Sequence, residues 1–157
     1  SKTIMNLYMH PIQQTIKQVT LPVTFLWIGF VSAISFMEAW LKFRAPGITL
    51  PLGLGIGSLV FKALNMMEWL FALLIATRFI LNRRSETRRS VSQYMIILLL
   101  LLVQTLWLLP ALDARIPLYQ QGLEVPSSPL HIYYVVAEVI KVTLLFIVGI
   151  GFLKEAR

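Results

Sequence analysis

Carboxylates recur inside or at the ends of long apolar stretches of this sequence. Each of four such stretches carries one, and they are Glu38, Glu68, Asp113 and Glu138. A charge near mid-membrane costs about 2.5–3.5 kcal/mol on insertion scales, so such residues usually face the bundle interior or a water-filled cavity. Carboxylates held in such a place bind cations or exchange protons. Cation or proton binding is therefore the first chemistry that the sequence indicates.

Other polar residues accompany these carboxylates at helical spacing. The candidate ligand- or ion-binding residues are Glu38, Lys62, Asn65, Glu68, Gln104, Asp113, His131, Tyr134, Glu138 and Lys141. At about 100° per residue, the last four share one helical face within roughly 80°. The simplest arrangement points such faces at one another. We then expect Glu138 to pair with Lys62 or Lys141 and Glu68 to pair with Lys62, with the lysines tuning carboxylate protonation.

A metal ion is one form that such a site can take, and its ligands would be His131, Glu138, Glu68 and Glu38. Di-iron four-helix bundles need Glu-x-x-His pairs on two helices, and the sequence has none. Cysteine is absent, which excludes thiolate metal sites, disulfides and cysteine nucleophiles. No cofactor is predicted beyond a possible metal cation.

The apolar stretches that must position these residues are long enough to be transmembrane helices. They run over residues 19–41, 57–81, 91–112 and 131–153, each near the ~20 residues that cross ~30 Å of hydrocarbon. The chain is 57% hydrophobic and 13% charged, whereas about a quarter of residues are charged in soluble domains. The sequence therefore predicts an all-α membrane protein, a four-transmembrane-helix bundle in which residues 1–157 form a single domain.

The sequence also predicts the structure of two segments outside these spans. Residues 1–18 are too polar for a signal peptide and predict a short interfacial segment, in which Pro11 kinks or ends any helix. Its apolar stripe would consist of Ile4, Leu7, Tyr8, Ile12 and Ile16. Residues 42–56 form an apolar linker with prolines and glycines, which would lie along the interface or re-enter the protein.

The lysines and arginines predict the orientation. With four spans, nine of them fall on the side of both termini: Lys2, Lys17, Arg78, Arg83, Arg84, Arg88, Arg89, Lys154 and Arg157. The other side holds Lys42, Arg44 and Arg115. This asymmetry predicts cytoplasmic termini and places the candidate site in the outer half of the membrane. The formal net charge of +7 then reflects orientation and contact with anionic lipid in a bilayer, and no nucleic acid partner is expected.

Two short segments resemble those of a known family. Phe43-Arg44 follows the first span and leads through a Pro/Gly-containing link into the second, and Trp107-Leu108-Leu109-Pro110 ends the third before His131 opens the fourth. With four spans, this layout resembles the transmembrane protein 205-like family and its bacterial relatives of unknown function. Members often carry Glu before the proline, where this chain has Leu109. The resemblance implies a four-helix membrane bundle and no particular reaction.

The leading hypothesis for function is a small non-enzymatic protein of a bacterial inner (plasma) membrane. Its polar cavity, in the outer half of the bundle, would bind or help move a cation, proton or small polar solute. Glu38, Glu68 and Glu138 would bind positive charge, and His131 and Asp113 would line the entrance. One alternative is an accessory subunit of a larger membrane complex or a homo-oligomer, with the charges forming helix contacts. A second is a membrane enzyme that uses the carboxylates and His131.

The orientation can be tested with single cysteines, because the chain has none of its own. We expect a cysteine at Ser85, in the basic loop, to resist a membrane-impermeant thiol reagent added to intact cells. A cysteine at Gln121, in the loop before the fourth span, should react and serves as the positive control. Labelling of the Ser85 variant and protection of the Gln121 variant would reverse the predicted orientation.

Overall fold

The computed structural model describes residues 2–83 and 85–155, with side chains from residue 11 onward within those ranges. The first span consists of α1 (Lys2–Val31), a π-helical segment π1 (Ser32–Glu38), α2 (Ala39–Leu41) and a 3-10 turn (Lys42–Arg44). The second is the single helix α3 (Leu50–Leu81). The third comprises α4 (Arg88–Val103), a π-helical segment π2 (Gln104–Leu108) and α5 (Leu109–Asp113), with the short α6 (Ile116–Gln120) after it. The fourth is α7 (Leu130–Glu155).

The four helical stretches are long and apolar enough to cross a membrane, as the sequence predicts. They are Pro11–Arg44, Leu50–Leu81, Arg88–Gln120 and Leu130–Glu155. On α3, large apolar residues at seven-residue spacing point away from the protein: Leu59, Met66, Leu73 and Ile80 are each between 63% and 74% exposed. A continuous apolar stripe of this kind suits hydrocarbon better than water. These features indicate an integral membrane protein.

The bundle is held by an apolar core in which α1 packs against both α3 and α7, and α7 packs against α4. Trp27 and Val31 of α1, Ile75 of α3, Ile97 of α4 and Leu145 of α7 are fully buried there. We call the two ends of the bundle the His131 end and the Arg78 end, after residues described below. The described residues include no strand.

Helix α1 continues through Pro11 and Pro22, although we expected Pro11 to kink or end a helix. Proline removes one backbone hydrogen bond, but ending a helix within an apolar solvent strands several more, each costing several kcal/mol. Thr15 and Thr24 also bind carbonyls one turn back, at 3.0 and 2.8 Å. The predicted interfacial stripe lies partly outside the described side chains, because it includes Ile4, Leu7 and Tyr8.

Helix α3 begins at Leu50, about two turns before the predicted start of the second span. Thr49 caps it by accepting a hydrogen bond from the Leu52 amide at 3.5 Å, and Pro51 occupies the first turn. The glycines that suggested a linker instead admit close neighbours. A Cβ at Gly53 would overlap the Phe43 ring, whereas one at Gly55 would meet nothing closer than 3.8 Å. Gly53 thus lets the end of the first span fold back onto α3.

This close approach can be tested with two alanines placed two residues apart in the same helix, which puts them on nearly opposite faces, about 200° apart. Alanine favours a helix interior over glycine by about 0.8–1.0 kcal/mol, so Gly55→Ala should preserve or raise the melting temperature in detergent. Gly53→Ala should lower it, because overpacking typically costs about 1–3 kcal/mol. In a Phe43→Ala background the Gly53→Ala penalty should vanish. Equal effects of the two alanines in the otherwise native chain would contradict the contact.

Candidate functional site

A network of buried charges surrounds the ammonium of Lys141 inside the bundle. Lys141, Glu68 and Glu138 are each 0% exposed. The Lys141 Nζ contacts Glu68 Oε1, lies 3.2 Å from Glu138 Oε1, and donates to Gln104 Oε1 at 2.6 Å. An ammonium has three hydrogen atoms to donate. Lys141 therefore has one hydrogen atom for each of its three partners, which lie on α3, on π2 and on its own helix α7.

Two neutral donors complete this network. The Trp27 indole donates to Glu68 Oε1 at 2.9 Å, which brings α1 into the site. The Gln104 amide donates to Glu138 Oε1 at 2.8 Å while its oxygen accepts from Lys141. These two contacts give the amide one orientation that satisfies both of its ends. All four spans thus contribute side chains, so the network also fixes how the helices pack.

The network is unbalanced in charge and in hydrogen bonding. Two ionised carboxylates facing one ammonium leave a net charge of −1 on these three groups. Among the described side chains, none provides a hydrogen-bond partner for four buried oxygens: Glu68 Oε2, Glu138 Oε2, Tyr134 OH and Ser35 Oγ. A buried polar group left unsatisfied costs about 1–3 kcal/mol, and more when charged. The site therefore has both the charge and the free oxygens to accept a positively charged ligand.

Two irregular helix segments supply buried polar side chains, and one of these side chains belongs to the network. Gln104 is the first residue of π2, and it is 0% exposed. Ser35, whose hydroxyl is among the four unsatisfied oxygens, lies in the middle of π1. Short π-helical segments inside α-helices occur frequently at functional sites. They shift the helical phase, so a residue that regular α-helix would turn elsewhere can face the interior.

A cavity of about 260 Å³ lies at the His131 end of the bundle. Its polar lining includes Lys42, Asp113, His131 and Tyr134, and its walls are mostly apolar residues such as Phe61. Tyr134 is 2% exposed and precedes Glu138 by four residues, so the two side chains lie one turn apart on the same helical face. The cavity therefore reaches the residue adjacent to the buried network.

The structure separates the predicted site residues into groups. Glu68, Gln104, Glu138 and Lys141 form the buried network, with Tyr134 beside it. The predicted pairing of Glu138 with Lys141 is confirmed, whereas pairing of Lys62 with either glutamate is wrong. Lys62 lies six residues before Glu68, so the directions of the two side chains differ by roughly 120° around α3.

The remaining candidates have partners of their own. Lys62 binds Asp113 at 2.8 Å, and the other Asp113 oxygen accepts from Ser58 at 2.7 Å. Glu38 pairs with Lys42 at 3.2 Å on its own span. Asn65 donates to Thr105 Oγ1 at 2.9 Å, as does Trp69. His131 is exposed and lines the cavity.

These positions do not support the metal ligand set that the sequence suggested. Glu38 belongs to the Lys42 pair and His131 to the cavity, so neither joins Glu68 and Glu138. In the described ranges no three His, Asp or Glu side chains are grouped to hold a metal ion. The spacing of His131 and Glu138 placed both on one face, but seven residues separate them by about 10 Å along a helix.

A second buried charge cluster, at the Arg78 end, was missed by the sequence reasoning. Arg78 is 1% exposed; its Nε donates to Glu86 at 2.8 Å and its terminal nitrogens bind Glu155 and Thr20. Its guanidinium also lies 3.6 Å from the centre of the Phe152 ring. The sequence reasoning treated Arg78 as a charge that sets topology. Its position within the apolar α3, before the helix ends, was the available signal.

No family model, curated protein or solved structure matches this chain. The resemblance to the transmembrane protein 205-like family therefore stays a prediction.

The dependence of the network on its one ammonium gives a stability prediction. Lys141→Met strands two buried carboxylates and should lower the free energy of unfolding by about 3–5 kcal/mol. Lys62→Met is the matched control, because that lysine is half exposed and pairs with Asp113 outside the network, so its loss should cost less. Adding Glu68→Gln and Glu138→Gln to Lys141→Met should recover most of the loss. Similar melting of the two single-lysine variants in detergent would show that the network does not hold the bundle.

Proposed function

We propose that this protein binds a proton or a small cation at the buried Glu68–Lys141–Glu138 network and takes it up from the cavity at the His131 end. The observation that carries this proposal is that one ammonium serves two fully buried carboxylates. Binding one positive charge would neutralise the three groups together. It would also give a partner to at least one carboxylate oxygen that has none among the described side chains.

The environment of the network strengthens its attraction for a positive ligand. The electrostatic energy of a charge pair rises as the effective dielectric constant falls, and the network lies among apolar residues inside the bundle. Ionisable groups inside membrane spans are costly and mark ion or proton sites in many membrane proteins. Lys141 keeps the two carboxylates near each other without cancelling both charges, which leaves a place for one further positive charge.

The predicted orientation would put this uptake on the outer side of the membrane. The excess of lysine and arginine beside the termini favours cytoplasmic termini, and the His131 end would then face outward. A bacterial inner (plasma) membrane fits such an arrangement. At the Arg78 end, the contacts of Arg78 with Glu86 and Glu155 tie α3 to the following loop and to the end of α7. Movement of the ligand across the membrane would require this end to open.

The test measures whether the folded protein binds a positive ligand through the two glutamates. A ligand that binds the folded state stabilises it by about 2.7 kcal/mol at 100 times its dissociation constant. We expect the melting temperature of the purified protein to rise with falling pH or with the concentration of Na⁺, K⁺ or Mg²⁺. Glu68→Gln and Glu138→Gln should lose this dependence, whereas Glu124→Gln, in an exposed loop, should keep it. Flat responses in all four proteins would favour a packing network or an accessory subunit.

A further inference from the structure

We propose that the ligand is a proton and that the hydroxyl of Tyr134 passes it from the cavity to Glu138. This inference rests on the proposed function, whose ligand and route it names. It depends on the oxygen count at the network, on the position of Tyr134, and on the chemistry of a hydroxyl group.

The network offers too few oxygens for Mg²⁺ or Ca²⁺. Mg²⁺ requires near-octahedral coordination and Ca²⁺ takes six to eight oxygen ligands. In the described part of the chain, the unsatisfied oxygens at or beside the network are two carboxylate oxygens and the hydroxyl of Tyr134. Any cation on the carboxylates would also lie beside the Lys141 ammonium, which repels it in a low dielectric. A proton requires only one acceptor oxygen and no coordination shell.

Tyr134 borders the cavity and lies one helical turn from the buried network. Its ring packs edge-on against Phe61, with centroids 5.2 Å apart, and both residues line the cavity. One helical turn further along α7 lies Glu138. The Tyr134 hydroxyl is buried, and no described side chain satisfies it. Both its proton and its lone pairs are therefore available for transfer.

A hydroxyl donates and accepts at once, so the transfer balances. Tyr134 OH and Glu138 Oε2 are not hydrogen-bonded to each other in this conformation, so the transfer requires a small side-chain movement or one bridging water. Tyr134 then gives its proton to Glu138 Oε2, forming the carboxylic acid, and its oxygen takes a proton from water that enters from the cavity. Tyrosine ends neutral, as it began, and the charge on Glu68, Glu138 and Lys141 changes from −1 to zero. The reverse sequence releases the proton to the same cavity.

The other charged and titratable groups near Glu68 and Glu138 determine which measurement can detect this proton transfer. Glu138 lies in contact with Lys141 and Gln104, Lys141 also contacts Glu68, and Trp27 donates to Glu68 from the first span. The charged or titratable groups that line the cavity are Lys42, Asp113, Arg115, Tyr119, His131 and Tyr134. The measurement must therefore observe a carboxyl group and not proton uptake in general.

The experiment follows the infrared C=O band of protonated carboxyl groups after a rapid drop in pH, with the full chain in lipid nanodiscs. The native protein should show a component of this band that Glu138→Gln removes, while the components from the other carboxyl groups remain. Tyr134→Phe keeps the ring against Phe61 and should reach the native amplitude about 10²-fold more slowly, the low end of what a positioned proton donor contributes. Tyr133→Phe, at a 48% exposed neighbour beside Trp107, should match the native rate.

The possible outcomes distinguish the proton route through Tyr134 from the proposed binding of a positive ligand at Glu68 and Glu138. Tyr134→His restores a group that donates and accepts, so it should recover much of the rate even if Tyr134→Phe folds poorly. Native kinetics in Tyr134→Phe would overturn the route. Absence of the Glu138 component of the band, with cation-dependent stabilisation that Glu68→Gln and Glu138→Gln lose, would overturn the proton while leaving a cation site. Absence of both responses would remove the proposed function itself.

Discussion

The arrangement of the bundle depends on one ammonium that is shared by two carboxylates. Lys141 is fully buried and connects its own helix to Glu68 on α3 and to Gln104 on π2. Removing two or three charges from water costs several kcal/mol for each ion, and only close contacts with correct geometry repay that. The helices must therefore keep their relative depth and rotation, because sliding any one of them by a turn would strand a charge in an apolar interior. The same constraint explains why the proposed binding site and a packing element coincide here.

The π-helical segments show how otherwise regular helices can direct polar side chains towards the bundle interior. Gln104 bridges Lys141 and Glu138 from the beginning of π2, and Ser35 projects from π1. A wider turn changes the direction of every residue that follows it, at the expense of poorer backbone hydrogen bonding. Both segments interrupt spans whose neighbouring turns are ordinary α-helix. The irregularity is thus confined to the part of each span that borders the polar interior.

Much of this could be predicted from the sequence, because the membrane leaves few choices. Twenty apolar residues in a row have to be a helix, and a charge among them has to face inward. Phase along α7 therefore identified Tyr134, Glu138 and Lys141 as neighbours. The phase of α3 relative to α7 was not available, so Lys62 and Lys141 were both candidate partners for Glu138, and the contact of Lys141 with Glu68 was not predicted. The predicted start of α3 lies about two turns after the observed one, because its glycines indicated a flexible linker. In the structure, Gly53 instead allows a close contact with Phe43.

The apolar layer between the two charge clusters has a consequence for energy conservation in the cell. Ten residues of α3 separate Glu68 from Arg78, about 15 Å along the axis, and the interior between them contains Ile75, Ile97, Leu145 and Val148. Under the proposed function, a proton on Glu138 in this conformation would meet apolar side chains on its far side and would leave through the cavity by which it came. Such a protein would respond to acidity at one surface without short-circuiting the proton-motive force.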